Sequence, residues 1–167
     1  MGSVKPPIPP EHIKHITNFK KLVTEQLQSR TNSPSAPLSI AVSVINRGLD
    51  LTTQSMVDPE HQNLEKIVLG VFDTTRKNQN LRIEPGLLKV LMDFKSQWTK
   101  TLSGKLGAAK TEALLLSTID RVLGITDAST MRGTEAEMKE YEGAETMLMN
   151  PLRKAIGEHQ RSPPAGA

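Results

Sequence analysis

The chain has 167 residues, a formal net charge of +3 and no cysteine. Such a length makes one domain with tails and buries a core without metal or disulfide staples. The missing cysteine removes disulfides, thiol catalysis and cysteine-ligated zinc. No run of about 18 apolar residues is present to span a membrane, and no signal-peptide stretch opens the chain. The expected setting is intracellular, cytoplasmic or nuclear.

Aromatic residues are few, three Phe, one Tyr and one Trp, so the core draws on Leu, Ile, Val, Met and Ala. That composition favours packed helices over an aromatic-rich sandwich. "KPPIPP" at 5–10 reads as an extended lead. Ile13, Ile16, Phe19, Leu22 or Val23, and Leu27 then recur at helical spacing and predict a first helix from Pro10 to about Ser29. "RTNSPSAP" is a loop. A second helix fits Leu38 to Arg47, with Gly48 where a C-terminal glycine belongs. The β-branched "SIAVSVI" inside it makes a short strand the rival.

Asp58, Pro59 and Glu60 carry a helix start for a third element. Its stripe is Leu64, Ile67, Val68, Val71 and Phe72. Residues 73–82 then read as a polar connector. A fourth helix begins at Pro85, with Leu87, Leu91, Phe94, Trp98 and Leu102 on one face, which predicts a buried Trp98. "AAKTEALLLSTIDRVLG" is a fifth helix stopped by Gly124. Beyond it apolar residues thin out. Residues 126–167 hold five basic and seven acidic side chains, against 16 and 11 before them. Thr134 with Glu137 makes a capping box, and Pro151 suggests the start of one more short helix. No internal repeat is evident. The expectation is an all-α bundle of about five helices over 10–124, behind a Pro-rich lead at 1–9. A polar, loosely docked, acidic and Met-rich segment at 125–167 is expected to follow.

Enzymatic chemistry finds little purchase. The four histidines accompany no nucleophile-elbow pattern. His12 and His15 lie three apart, but the stripe at 13, 16 and 19 turns them to the polar side, and zinc wants a third ligand. "SGKLGAAKT" lacks the order of a phosphate-binding loop. Asp73, Asp93 and Asp120 sit near apolar stripes, where burial raises a carboxyl pKa. No cofactor, metal or small-molecule substrate is expected.

Binding roles remain. Arg76, Lys77, Asn78 and Arg82 offer charge and amide donors of the kind that meet phosphate. "LGVFDTTRK" resembles the "FDTRNR" segment of the rod-shaped tobamovirus coat proteins, through Leu69, Gly70, Phe72, Asp73, Thr74 and Arg76. The resemblance spans nine residues of 167, and that family's arginine–phenylalanine–proline strand motif is absent. It implies a helical, RNA-binding, nucleocapsid- or coat-like protein. Met147, Met149, Leu152 and Ile156 are adaptable apolar residues of the kind that repack against a partner. "KPPIPP" is like a short SH3-type ligand, and Ser33-Pro34 and Ser162-Pro163 fit proline-directed phosphorylation. The first expectation is a non-enzymatic protein-interaction domain, adaptor or regulatory, with another protein as partner. RNA or DNA binding through 76–82 is the alternative.

Overall fold

The computed structural model describes residues 7–31 and 33–161. Lys5, Pro6 and the Ser162-Pro163 pair lie outside them. Among the described residues the helices are α1 (Pro10–Leu27), α2 (Ala36–Gly48), α3 (Gln62–Gln79), α4 (Pro85–Leu106), α5 (Ala108–Leu123) and α6 (Glu135–Arg161). A single 3₁₀ turn, Pro59–His61, precedes α3. The chain is all-α, with six helices where about five were expected. They form two compact units. One is Pro9–Ile83; the other runs from Glu84 onward and includes Pro7 and Ile8. The division thus falls at 83/84 and not at 124/125.

In the first unit, α1 buries Ile16, Phe19, Val23 and Leu27, a +3, +4, +4 stripe laid on α2. The central helix is α2, which buries Ile40, Ala41, Val42, Val44 and Ile45. Burial on nearly every side explains why its apolar residues alternate like a strand: no polar face is needed. From α3 come Val68 and Phe72, and the Phe72 ring meets Phe19 at 4.7 Å between centroids. Gly48 does not end α2 through a left-handed cap; the positive φ falls on Asp50, at 66°. Gly48 is required because the Phe72 ring occupies the space a Cβ would fill. Ile67 and Val71, expected in the stripe, are 65% and 55% exposed.

The second unit repeats the plan. Glu84 caps α4, accepting the N–H groups of Gly86 at 2.9 Å and Leu87 at 3.0 Å. Leu87, Leu91 and Phe94 are buried, but Trp98 is only half-buried beside Phe94, because the last turns of α4 leave the core. Lys95 reaches Glu112 at 2.8 Å and ties α4 to α5. The central helix here is α5, buried from Leu114 to Asp120. The expected polar, loosely held segment is instead one 27-residue helix, α6. Its buried residues are Tyr141, Glu145, Leu148, Leu152 and Ile156. Pro151 lies inside α6 and does not start it. It faces solvent, so the N–H it lacks removes a bond only on the wet side.

Several positions of the two units correspond. Ser43, Ile45, Arg47, Leu49, Leu51 and Thr52 correspond to Ser117, Ile119, Arg121, Leu123, Ile125 and Thr126, each 74 residues on. The backbone N–H of Leu51 bonds to Asn46 O and that of Ile125 to Asp120 O, both at 2.9 Å. Asp50 and Gly124 hold the same left-handed position, at φ 66° and 85°. Phe19 and Phe94, both buried, match at 75 residues. Val68 and Phe72 match Leu148 and Leu152 at 80, because α6 has extra turns ahead of Glu145 that α3 lacks ahead of Glu65. The repeat that sequence inspection missed is therefore present in the structure.

At Gly48's counterpart stands half-buried Val122, and at Phe72's stands buried Leu152. Gly48→Ala should cost roughly 1–3 kcal/mol through overpacking. Adding Phe72→Leu should recover part of that cost, although the same change alone in the parent destabilises. Urea unfolding of the four chains checks the sign of the coupling; strict additivity would contradict the contact.

Candidate functional site

The polar residues that fold most tightly into each unit form a clasp. Ser43 and Arg47 are one turn apart on α2 and so share a face. Glu65, 1% exposed in the first turn of α3, accepts from the Ser43 hydroxyl and from Arg47 Nη1 at 2.9 Å. Ser43 Oγ in turn accepts the N–H of Met56 at 3.1 Å, which pins the α2–α3 connection. In the second unit Glu145 is fully buried and accepts from Ser117 at 2.9 Å, from Ser129, and from Arg121 Nη1 at 3.3 Å. Ser117 Oγ accepts the N–H of Thr130 at 2.9 Å.

Burial pushes the Glu145 carboxyl up from its ordinary range, against the pull of Ser129, Ser117 and Arg121. Burial also works against the Arg121 charge, but hydrogen bonds to Glu145 and Glu142 leave its pKa raised. The serines do not have the setting of activated nucleophiles. Each is 1% exposed and donates to a carboxylate while accepting a backbone N–H. The chemistry of the clasp is cohesion between helices.

The expected basic connector is not a loop. Helix α3 continues to Gln79, so Arg76, Lys77 and Asn78 lie on its last turns, and only Arg82 is in the connection. Asn80 ends the helix at φ 52°, and the next N–H, of Leu81, bonds to Arg76 O at 2.8 Å. Arg76 Nε sits 3.6 Å from Asp73. Lys77 and Asn78 are exposed at a carbonyl end whose partial negative charge favours cations already.

Of the other acids near apolar stripes, Asp93 pairs with Lys89 at 2.9 Å and Asp120 is fully buried. His12 and His15 are half-buried on α1. Among the described residues the cluster that could present three metal-ligand atoms is elsewhere: Asp58, Glu60 and His61, with one such atom of each within 4.8 Å of the others. Asp58 and Glu60 are exposed, and acids at this helix start also answer its dipole. Ser33 is half-buried, with its hydroxyl 3.1 Å from that of Ser35.

The four residues expected to meet a partner separate. Leu152 and Ile156 are core residues of the second unit, 0% and 4% exposed. Met149 is half-buried, and Met147 is 76% exposed. Sequence reasoning missed the outer face of α3. At 3.6 residues per turn, Asn63, Leu64, Lys66, Ile67, Gly70, Val71, Thr74, Lys77 and Asn78 fill one arc of that helix. All are exposed except Leu64, which is half-buried. The arc holds two lysines, three apolar side chains and no carboxylate. No described helix is long and apolar enough to cross a membrane. Comparison with protein-family models, with curated proteins and with solved structures finds no match.

Removing the buried acceptor leaves serine hydroxyls unpaired, so Glu65→Ala and Glu145→Ala should each cost roughly 1–3 kcal/mol. Chemical denaturation measures this; losses under 1 kcal/mol would mean that the clasp carries little. The pH dependence has two signs. Glu145, raised by burial, contributes stability below pH 4.5 that is lost as pH climbs through its folded value. Glu84 has the opposite sign. The N–H of Gly86, the His159 ring and the N–H of Leu87 lower its pKa below 4.5. Its contribution is present above pH 4.5 and lost as pH falls through the folded value. The Tm gap between the parent and Glu84→Gln should therefore be open at pH 7 and close in strong acid.

Proposed function

We propose that the chain is a non-enzymatic helical binding domain whose partner is another protein, docked as a helical segment along the outer face of α3. The observation that carries this is the pair Ile67 and Val71, one turn apart and 65% and 55% exposed. Single exposed apolar residues are ordinary. Here two are joined to half-buried Leu64 in one stripe, edged by Lys66 and Lys77. Covering a Val or Ile side chain fully is worth roughly 1.5–3 kcal/mol, and an amphipathic helix laid along α3 covers both. The lysines and the lack of carboxylates in the arc favour an acidic segment. RNA or DNA binding has less support. It needs several uncommitted cations on one surface, and of Arg76, Lys77 and Arg82 the first already meets Asp73.

A random peptide library displayed on phage and selected on the folded chain tests the reading. Enriched peptides should carry apolar residues at helical spacing with Asp or Glu beside them. Ile67→Glu with Val71→Glu should weaken their binding by at least about tenfold, with the circular dichroism of the chain unchanged. Enriched peptides that bind the double variant as well as the parent would contradict the assignment.

A further inference from the structure

Ile8 stands two residues ahead of α1, and Ile83 two residues ahead of α4. A proline opens each helix, Pro10 and Pro85. The residue between holds nearly the same backbone in both, φ −52° and ψ 138° at Pro9, φ −55° and ψ 135° at Glu84. Both isoleucines are buried, at 2% and 5% exposure. Yet Ile83 belongs to the first unit although it leads into α4, and Ile8 belongs to the second although it leads into α1. Ile83 is fastened by the chain on both sides. Before it, Leu81 is 1% exposed and its N–H bonds to Arg76 O at 2.8 Å; after it, α4 follows at once. Ile8 has no such tie to its unit, whose next residue, Glu84, comes only after the whole of Pro9–Ile83. Burial is centred on that one side chain: Pro7 is half-buried, and Pro9 and Pro10 are exposed.

We infer that the lead of α1 is an autoinhibitory strap: the second unit carries a seat for an extended, proline-flanked apolar segment, and Ile8 fills it and keeps other segments out. The inference does not depend on the outer face of α3. The strap is built to let go. Positions 6, 7, 9 and 10 are proline, and proline has no N–H to donate. The Ile8 side chain must therefore supply most of the attraction. Burying one isoleucine shifts an equilibrium by roughly ten- to a hundredfold, so the seat stands open on the order of 1–10% of the time. The strap is also built to return. Prolines keep the free lead extended, so little freedom is lost on each closure. A segment of the same chemistry on another protein has the same advantage, but it competes with a tethered strap whose effective concentration is on the order of millimolar. The tether thus weakens outside ligands without abolishing their access.

The test uses the full chain as parent, Ile8→Ala and Ile8→Glu, with assigned amide signals. The probe is a capped peptide copying residues 4–12, VKPPIPPEH. Both variants should bind it at least about tenfold more tightly than the parent does, with shifts confined to residues 84–161. The same peptide carrying Ile8→Glu should not bind. Ile8→Ala keeps the test decisive if Ile8→Glu fails to fold. Equal affinity in parent and variants, or no binding to Ile8→Ala, would overturn the strap. So would loss of the folded signals of residues 84–161 in Ile8→Ala, since Ile8 would then be a fixed part of the core. Shifts among residues 10–83 would overturn the seat. Dimers of the parent that grow with concentration and vanish in Ile8→Ala would put a second copy's lead in the seat and overturn closure within one chain.

Discussion

A carboxylate buried between two helices is the constraint on which each unit depends. Glu65 and Glu145 sit where an apolar side chain would otherwise complete the stripe of the third helix, and both are out of water. Removing an ion from water costs several kcal/mol, and only well-made partners offset that. The partners dictate much of the remaining geometry. A serine and an arginine must stand one turn apart on the central helix. The connection must return an N–H to the serine oxygen. The third helix must bring its carboxylate to the height of that pair. A buried ion that misses its donors is costly, so the clasp fixes the register together with the close-packed apolar residues, which supply the bulk of the burial.

Much of the helical plan was legible. The +4 and +3 stripe of α4, the Pro85 start and the stop at Gly124 are local signals, and local signals survive folding. Trp98 failed because the end of α4 leaves the core, and α6 was misread because its face is not purely apolar. Glu145 interrupts the stripe of α6, so Tyr141, Leu148, Leu152 and Ile156 looked like scattered residues and Pro151 looked like a start. The opposite error hid the candidate face. Ile67 and Val71 follow helical spacing as well as Val68 and Phe72 do, and spacing alone cannot say how wide an arc the neighbouring helices cover. Residues 73–79 looked like a loop because their apolar content ends at Phe72; the helix goes on because Asn80, and no earlier residue, takes the left-handed position. The relation between the units was carried by Ser, Arg and Thr, residues that usually mark surfaces, and its spacing changes from 74 to 80 partway along.

Comparing the two units also separates what they share from what differs. The donors and acceptors of the clasp are kept as identities: Ser, Arg and Glu, with the left-handed residue at the same turn. The core is kept only as volume. Gly48 lies against Phe72, whereas the corresponding positions hold Val122 and Leu152. Hydrogen bonds to an ion fix direction and length, so few residue types satisfy them, while dispersion contacts accept many shapes of similar size.

The outer face belongs to neither category. Ile67 and Met147 are neither donors nor core, and no packing requirement of the unit would hold an apolar residue there. Lys, Glu or Gln at these positions would favour the helix as well and leave no exposed apolar surface.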